Sequence, residues 1–162
     1  IMLEEMNIHR AFMEEAIEMA RKNLSEGQGG PFGAVIVKDG EIIARGSNLV
    51  TFTNDPTAHA EIVAIREACS RLDSFQLTGC DIYCSCEPCP MCLGAIYWAR
   101  PNRIFFAATR NDAANAGFDD DFIYHELNVR IPDRKIVTHQ LLRKEAQFVF
   151  DKWITLDRKT PY

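Results

Sequence analysis

Two short segments constrain this chain more than any other feature: His59-Ala60-Glu61 and Pro88-Cys89-Pro90-Met91-Cys92. Each falls where a helix is expected to begin. Asn54-Asp55-Pro56 is a turn, Thr57 is a plausible N-cap, and Ile62, Ile65 and Ala68 lie along one side of a helix over Ala58 to Arg71. Pro90 is the residue type a helix favours at its first position, which makes Cys89 the cap of a helix running to about Arg100. Residues three apart on a helix project from one side, so the sulfurs of Cys89 and Cys92 can converge on one ion. His59 would add a nitrogen from the other helix start. A fold for this chain must therefore bring two helix N-termini together.

The chemistry expected of such a cluster is that of a catalytic zinc. Three protein ligands leave the fourth tetrahedral position for water. Helix N-termini favour thiolates, and two thiolates roughly cancel the charge of the ion. A near-neutral centre acidifies its water less than three neutral imidazoles would, so a separate base is useful. Glu61, two residues beyond His59, can reach the water and take up and pass on its proton. Two other readings stand beside this one. Cys86, Cys89 and Cys92 match the start of an iron-sulfur run, although Ile96 occupies the place of its fourth cysteine. Cys89 and Cys92 could also form a redox pair, for which the surrounding sequence is wrong.

Composition narrows the partners. The 162 residues, 47% of them hydrophobic, suffice for one core, so a single domain over residues 1–162 is expected. A net charge of -5 and no cluster of Lys and Arg argue against tight nucleic-acid binding and for a small, weakly charged substrate. Ile1 to Arg10 lack the pattern of a signal peptide and no stretch suits a membrane span, so a cytoplasmic location is expected. There the six cysteines would be thiols or ligands. A start at Ile suggests a trimmed or engineered N-terminus.

The remaining pattern is α/β. A helix is expected over Met6 to Leu24, and a hairpin over Phe32 to Val37 and Glu41 to Ala44 with Asp39-Gly40 at its turn. Strands follow at Asp81 to Cys86, Arg103 to Thr109 and Lys135 to His139, with a last helix over Leu141 to Leu156. The stretch from Asn111 to His125 reads as helical or irregular. The helix after Cys89 is apolar nearly all round and is expected to be buried. This order predicts a mixed sheet with helices on both faces. Cys69, Cys80, Cys84 and Cys86 read as packed thiols, His9, His125 and His139 as residues without a special role, and Glu87 as a loop charge.

The pairing of H-x-E with P-C-x-x-C is that of zinc deaminases. With it, Gly30-Pro31-Phe32-Gly33-Ala34-Val35-Ile36-Val37, Asn54 to Glu61, Ser85 to Trp98 and Ala116-Gly117-Phe118-Asp119-Asp120 make the chain resemble the cytidine-deaminase-like superfamily. The last block narrows the resemblance to the small bacterial guanine deaminases. The likeness covers most of the chain and thins from about Leu127 to Phe150. It implies a three-layer α/β/α fold with a mixed central sheet, one zinc per chain, a homodimer, and hydrolysis of guanine to xanthine and ammonia. It also implies that Asn48 and Asp120 recognise the purine, that Phe32 and Trp98 lie near the site, and that a swapped C-terminal segment brings Tyr162 over the partner's site. Guanosine or another amino-heterocycle is the nearest alternative substrate, and adenosine in transfer RNA is a more distant one.

Overall fold

The first helical periodicity builds α1, Leu3–Glu26, which Gly27 closes in the left-handed conformation at φ 66°. The structure, a computed structural model, describes residues 2–162, so Ile1 and the reading of the N-terminus lie outside the described residues. β1 (Gly33–Lys38) and β2 (Glu41–Ser47) form the expected hairpin, with Asp39 and Gly40 both at positive φ in its turn. Alternation along β1 feeds two separate cores. Ala34 and Ile36 join Ala44, Ile82 and Cys84 on one face, whereas Val35 and Val37 join Tyr83 on the other.

β3 (Cys80–Cys86) runs antiparallel to β1, and β4 (Arg103–Ala108) runs parallel to β3, giving the order β2-β1-β3-β4. The sheet is mixed because α4 (Pro90–Ala99) carries the chain across from β3 to β4. α3 (Ala60–Leu72) and α4 cover one face through Ala60, Ala64, Ala68, Ile96 and Ala99. α1 covers the other through Phe12, Met13 and Ala16. The fold is the expected three-layer α/β/α arrangement.

Two glycines allow the layers to approach this closely. A Cβ on Gly33 would lie 2.2 Å from the Ala16 carbonyl oxygen, and one on Gly46 would lie 2.2 Å from that of Ala60. Gly46 therefore lets the first turn of α3 settle directly on β2. Asn23, buried in α1, donates to the carbonyls of Gly30 and Asn48 at 2.7 and 2.8 Å, tying two loops to the same end of the sheet.

Several sequence expectations are corrected. His59, not Thr57, is the N-cap of α3, because the Thr57 hydroxyl is held by Asp55. α4 buries Cys92, Ile96 and Ala99 but leaves Tyr97 and Trp98 exposed, since only one side of it meets the sheet. A short helix, α2 (Val50–Thr53), was not expected. The stretch after β4, for which helix was one of the two readings, forms two helices, α5 (Arg110–Asn115) and α6 (Asp120–Leu127), separated by a turn at Gly117. No strand forms over 135–139, where Ile136 and Val137 are exposed and no ladder is completed.

Chain contacts divide the described residues into two units, one ending at Asp121 and one from Phe122 to Tyr162. The second contains the rest of α6, a 3-10 turn over Ile131–Asp133, and α7 (Arg143–Ile154). Lys135 lies over the Phe122 ring at 4.5 Å, and the Lys159 ammonium donates to the Trp153 and Ile154 carbonyls at the end of α7. No residue of this unit is buried. Among the described residues no helix is long and apolar enough to cross a membrane.

Candidate metal and active site

The two helix starts meet at the end of β3. His59 caps α3 and Cys89 caps α4, where the Cys89 sulfur accepts a hydrogen bond from the Cys92 amide at 3.5 Å. His59 Nδ1 lies 3.6 Å from Cys89 Sγ and 3.4 Å from Cys92 Sγ. Zinc bond lengths to nitrogen and sulfur in tetrahedral geometry set these two atoms about 3.5 Å apart. The spacing thus fits a zinc ion, and His59, Cys89 and Cys92 are the residues that hold it. Cys86 is not part of the cluster: its thiol faces the Thr109 carbonyl and burial pushes its pKa up to about 11. This removes the third cysteine of the iron-sulfur reading.

The charge distribution among these side chains shows what a cation would relieve. A hydrogen bond from Cys92 holds Cys89 down to about 4, against the opposing effect of burial and with help from His59. Cys92 is pushed up by that shared hydrogen bond and by burial, so only one of the two sulfurs ionises alone. The hydrogen bond to Cys89 raises His59 against the lowering effect of burial. A divalent cation permits both thiolates and a neutral imidazole together.

Beside the cluster lies a small cavity lined by Phe32, Asn48, His59, Glu61, Glu87, Cys89, Phe118 and Asp120. Glu61 is buried in the first turn of α3, and one of its oxygens accepts from Cys92 Sγ at 3.4 Å. Burial raises its pKa above the ordinary carboxylate value. Asp120 is also raised, first by burial and then by the negative charge of Cys89. Asn48 follows β2 and is fixed by its Oδ1, which accepts from the Val50 amide at 3.2 Å. Phe32 and Phe118 meet edge to face with ring centroids 4.8 Å apart.

Of the residues singled out from sequence, the structure brings His59, Cys89, Cys92, Glu61, Asn48, Asp120 and Phe32 together. Trp98 stands on the exposed side of α4, outside that lining, and Tyr162 is exposed in the second unit. Glu87 and Phe118 line the cavity as well. Glu87 reads in sequence as a loop charge, and only its place next to Pro88-Cys89 hinted otherwise. Phe118 belongs to the block that narrowed the resemblance, but no role at the site was expected of it.

The sequence model of the family described as the cytidine and deoxycytidylate deaminase zinc-binding region matches residues 6–108. The chain belongs to this family. It is 53% identical to a guanine deaminase of Bacillus subtilis (strain 168) over 154 residues, which cover 95% of this chain and 99% of that one. The X-ray structure of guanine deaminase from Bacillus subtilis superposes with a TM-score of 0.92, covering 95% of this chain and 98% of the other at 53% identity. The match therefore does not stop at Leu127, where the sequence alone suggested that the likeness thins. A tRNA-specific adenosine deaminase of Aquifex aeolicus (strain VF5) is 44% identical over only 97 residues, 60% of this chain and 64% of that one.

Proposed function

We propose that the chain is a zinc-dependent hydrolase that converts guanine to xanthine and ammonia. The observation that carries this reading is the extent of the likeness. The match to a guanine deaminase runs through 95% of the chain, whereas the match to a tRNA adenosine deaminase covers 60%. The long match includes the segment that delivers Asp120 to the cavity.

His59, Cys89 and Cys92 hold the zinc, which when bound supplies the Lewis acidity that makes a water reactive near neutral pH. Glu61 is the proton carrier: it passes one proton of the attacking water to a ring nitrogen, and then moves the second, from the hydroxyl left on the ring carbon, to the departing amine. Because Asn48 Oδ1 is engaged by Val50, its amide nitrogen is left to donate to the ring oxygen of guanine. Asp120 accepts a ring N–H. Phe32 bounds the plane of the bicycle, and closing the cavity around it excludes water.

The same reading extends to assembly. The protein forms a homodimer in the cytoplasm, as one domain whose C-terminal segment is swapped, with Trp98 and the partner's Tyr162 completing the site. Two observations support it: α7 exposes Phe148, Val149, Phe150 and Ile154, and all six cysteines are free thiols.

The deciding experiment incubates the zinc-loaded protein with guanine, guanosine, adenine and cytosine while ammonia is followed. Guanine is expected to be the preferred substrate, and preference for another amino-heterocycle would remove the substrate assignment. Glu61→Gln is expected to keep one zinc per chain while kcat falls about 100- to 10,000-fold. Retained turnover would take Glu61 out of the mechanism.

A further inference from the structure

Glu87 stands in the loop between β3 and α4, and its surroundings fix one end of its carboxylate. Its backbone amide donates to the Ala108 carbonyl at 2.8 Å, at the end of β4. Its Oε2 accepts from the Arg110 amide at 2.9 Å, at the start of α5. Oε1 makes no hydrogen bond among the described residues, and Glu87 lines the same cavity as Glu61 and Asp120. One oxygen is thus anchored by backbone and the other is available to whatever enters.

The donor and acceptor count of the cavity gives this oxygen a use. Guanine presents the ring N–H beside its carbonyl, the exocyclic amine and one imidazole N–H. In an enclosed site each of these needs an acceptor, because a buried donor without one is costly. Asn48 Oδ1 is already occupied by Val50. The remaining carboxylates are Glu61, which works at the reacting end, Asp120 and Glu87. With Glu61 engaged in proton transfer, Asp120 accounts for one of the other ring donors and a second is left over.

The geometry points to Glu87 as a further specificity-determining residue that accepts a ring N–H of the purine through Oε1 while the Arg110 amide holds Oε2 in place. This rests on the proposed guanine deaminase reading. Glu87 and Asp120 line the same cavity, and two ring N–H groups placed between them would give each carboxylate a donor. A ring with acceptors in those positions meets two carboxylates and is rejected. A carboxylate that served only to anchor the loop would do none of this.

Glu87→Gln separates the two roles, because a glutamine oxygen still accepts from the Arg110 amide while its NH2 group turns a donor toward the ring. Wild type and variant are compared for zinc content, thermal midpoint and steady-state ammonia release from guanine. The expected result is unchanged zinc and midpoint, with KM raised about 10- to 100-fold and a much smaller change in kcat. Guanines methylated at one ring nitrogen at a time serve as competing ligands. One of them should lose affinity for wild type but lose none for the variant. Kinetic constants within twofold of wild type, or a loss confined to zinc content and midpoint, would overturn the inference and leave Glu87 as a loop anchor. If wild type itself releases no ammonia from guanine, the guanine reading fails and takes the inference with it.

Discussion

The two units of this protein obey different rules. The first, ending at Asp121, buries residues on both faces of its sheet, from Ala16 and Val35 on one side to Ile36, Ile82 and Ile96 on the other. The second, from Phe122 to Tyr162, is comparably rich in large apolar side chains but buries none of them. Leu141, Leu142, Phe148, Phe150 and Ile154 are all exposed. The difference shows that apolar content does not make a core by itself. A sheet supplies two faces to cover, whereas a lone amphipathic helix must find a surface elsewhere. The metal cluster belongs wholly to the self-sufficient unit.

The strongest test of that contrast mixes two inactive chains. Glu61→Gln lacks the proton carrier but keeps its C-terminal segment, and a chain ending before Thr160 lacks Tyr162 but keeps Glu61. If the segment is exchanged, co-refolding the pair restores about half of wild-type activity in each mixed dimer, because one of two symmetric sites becomes complete. No recovery from a mixed dimer would confine each segment to its own chain.

Substitutions of apolar side chains give the next largest effect. Ile82 is fully buried at the centre of the sheet, and Ile82→Ala is expected to cost about 2–5 kcal/mol in denaturant unfolding. Phe148→Ala on α7 is expected to change the dissociated chain by less than about 0.5 kcal/mol, since the ring is already in water. Equal losses at protein concentrations that dissociate a dimer would abolish the distinction between the units.

A smaller effect concerns the charge that the first unit buries. Burial raises Glu61, so the folded ion-free protein keeps a proton that the unfolded chain has already lost. Stability from that protonated state is fully present below the unfolded pKa and is lost as pH rises through the folded one. Glu61→Gln carries no such cost. Its thermal midpoint relative to wild type, both without metal, should therefore rise more at about pH 8 than at about pH 4. A gain independent of pH would mean that Glu61 is not desolvated in the folded protein.

Much of the first unit was legible because its signals are local. Asp39-Gly40 specifies a tight hairpin, Pro90 marks a helix start, and Cys89 and Cys92 share a helix side by spacing alone. The errors arose where a local pattern needs a neighbour. Lys135 to His139 has the residues of a strand, but a strand exists only beside another, and none completes its ladder. Trp98 and Tyr97 belong to an apolar helix, yet only the docking of α4 on the sheet decides which side faces water.

The sequence by itself determined the ligand set, the place of Glu61 beside it and the alternation of helices and strands, since each follows from spacing along a single element. It also carried the likeness that points to guanine. Only the tertiary structure decided that Asn48, Phe32, Phe118, Glu87 and Asp120 line one cavity with His59 and Cys89. These residues come from separate segments, and their meeting depends on layers closing through contacts as tight as that of Gly46 against Ala60. That closure turned Glu87 from a loop charge into a wall of the site.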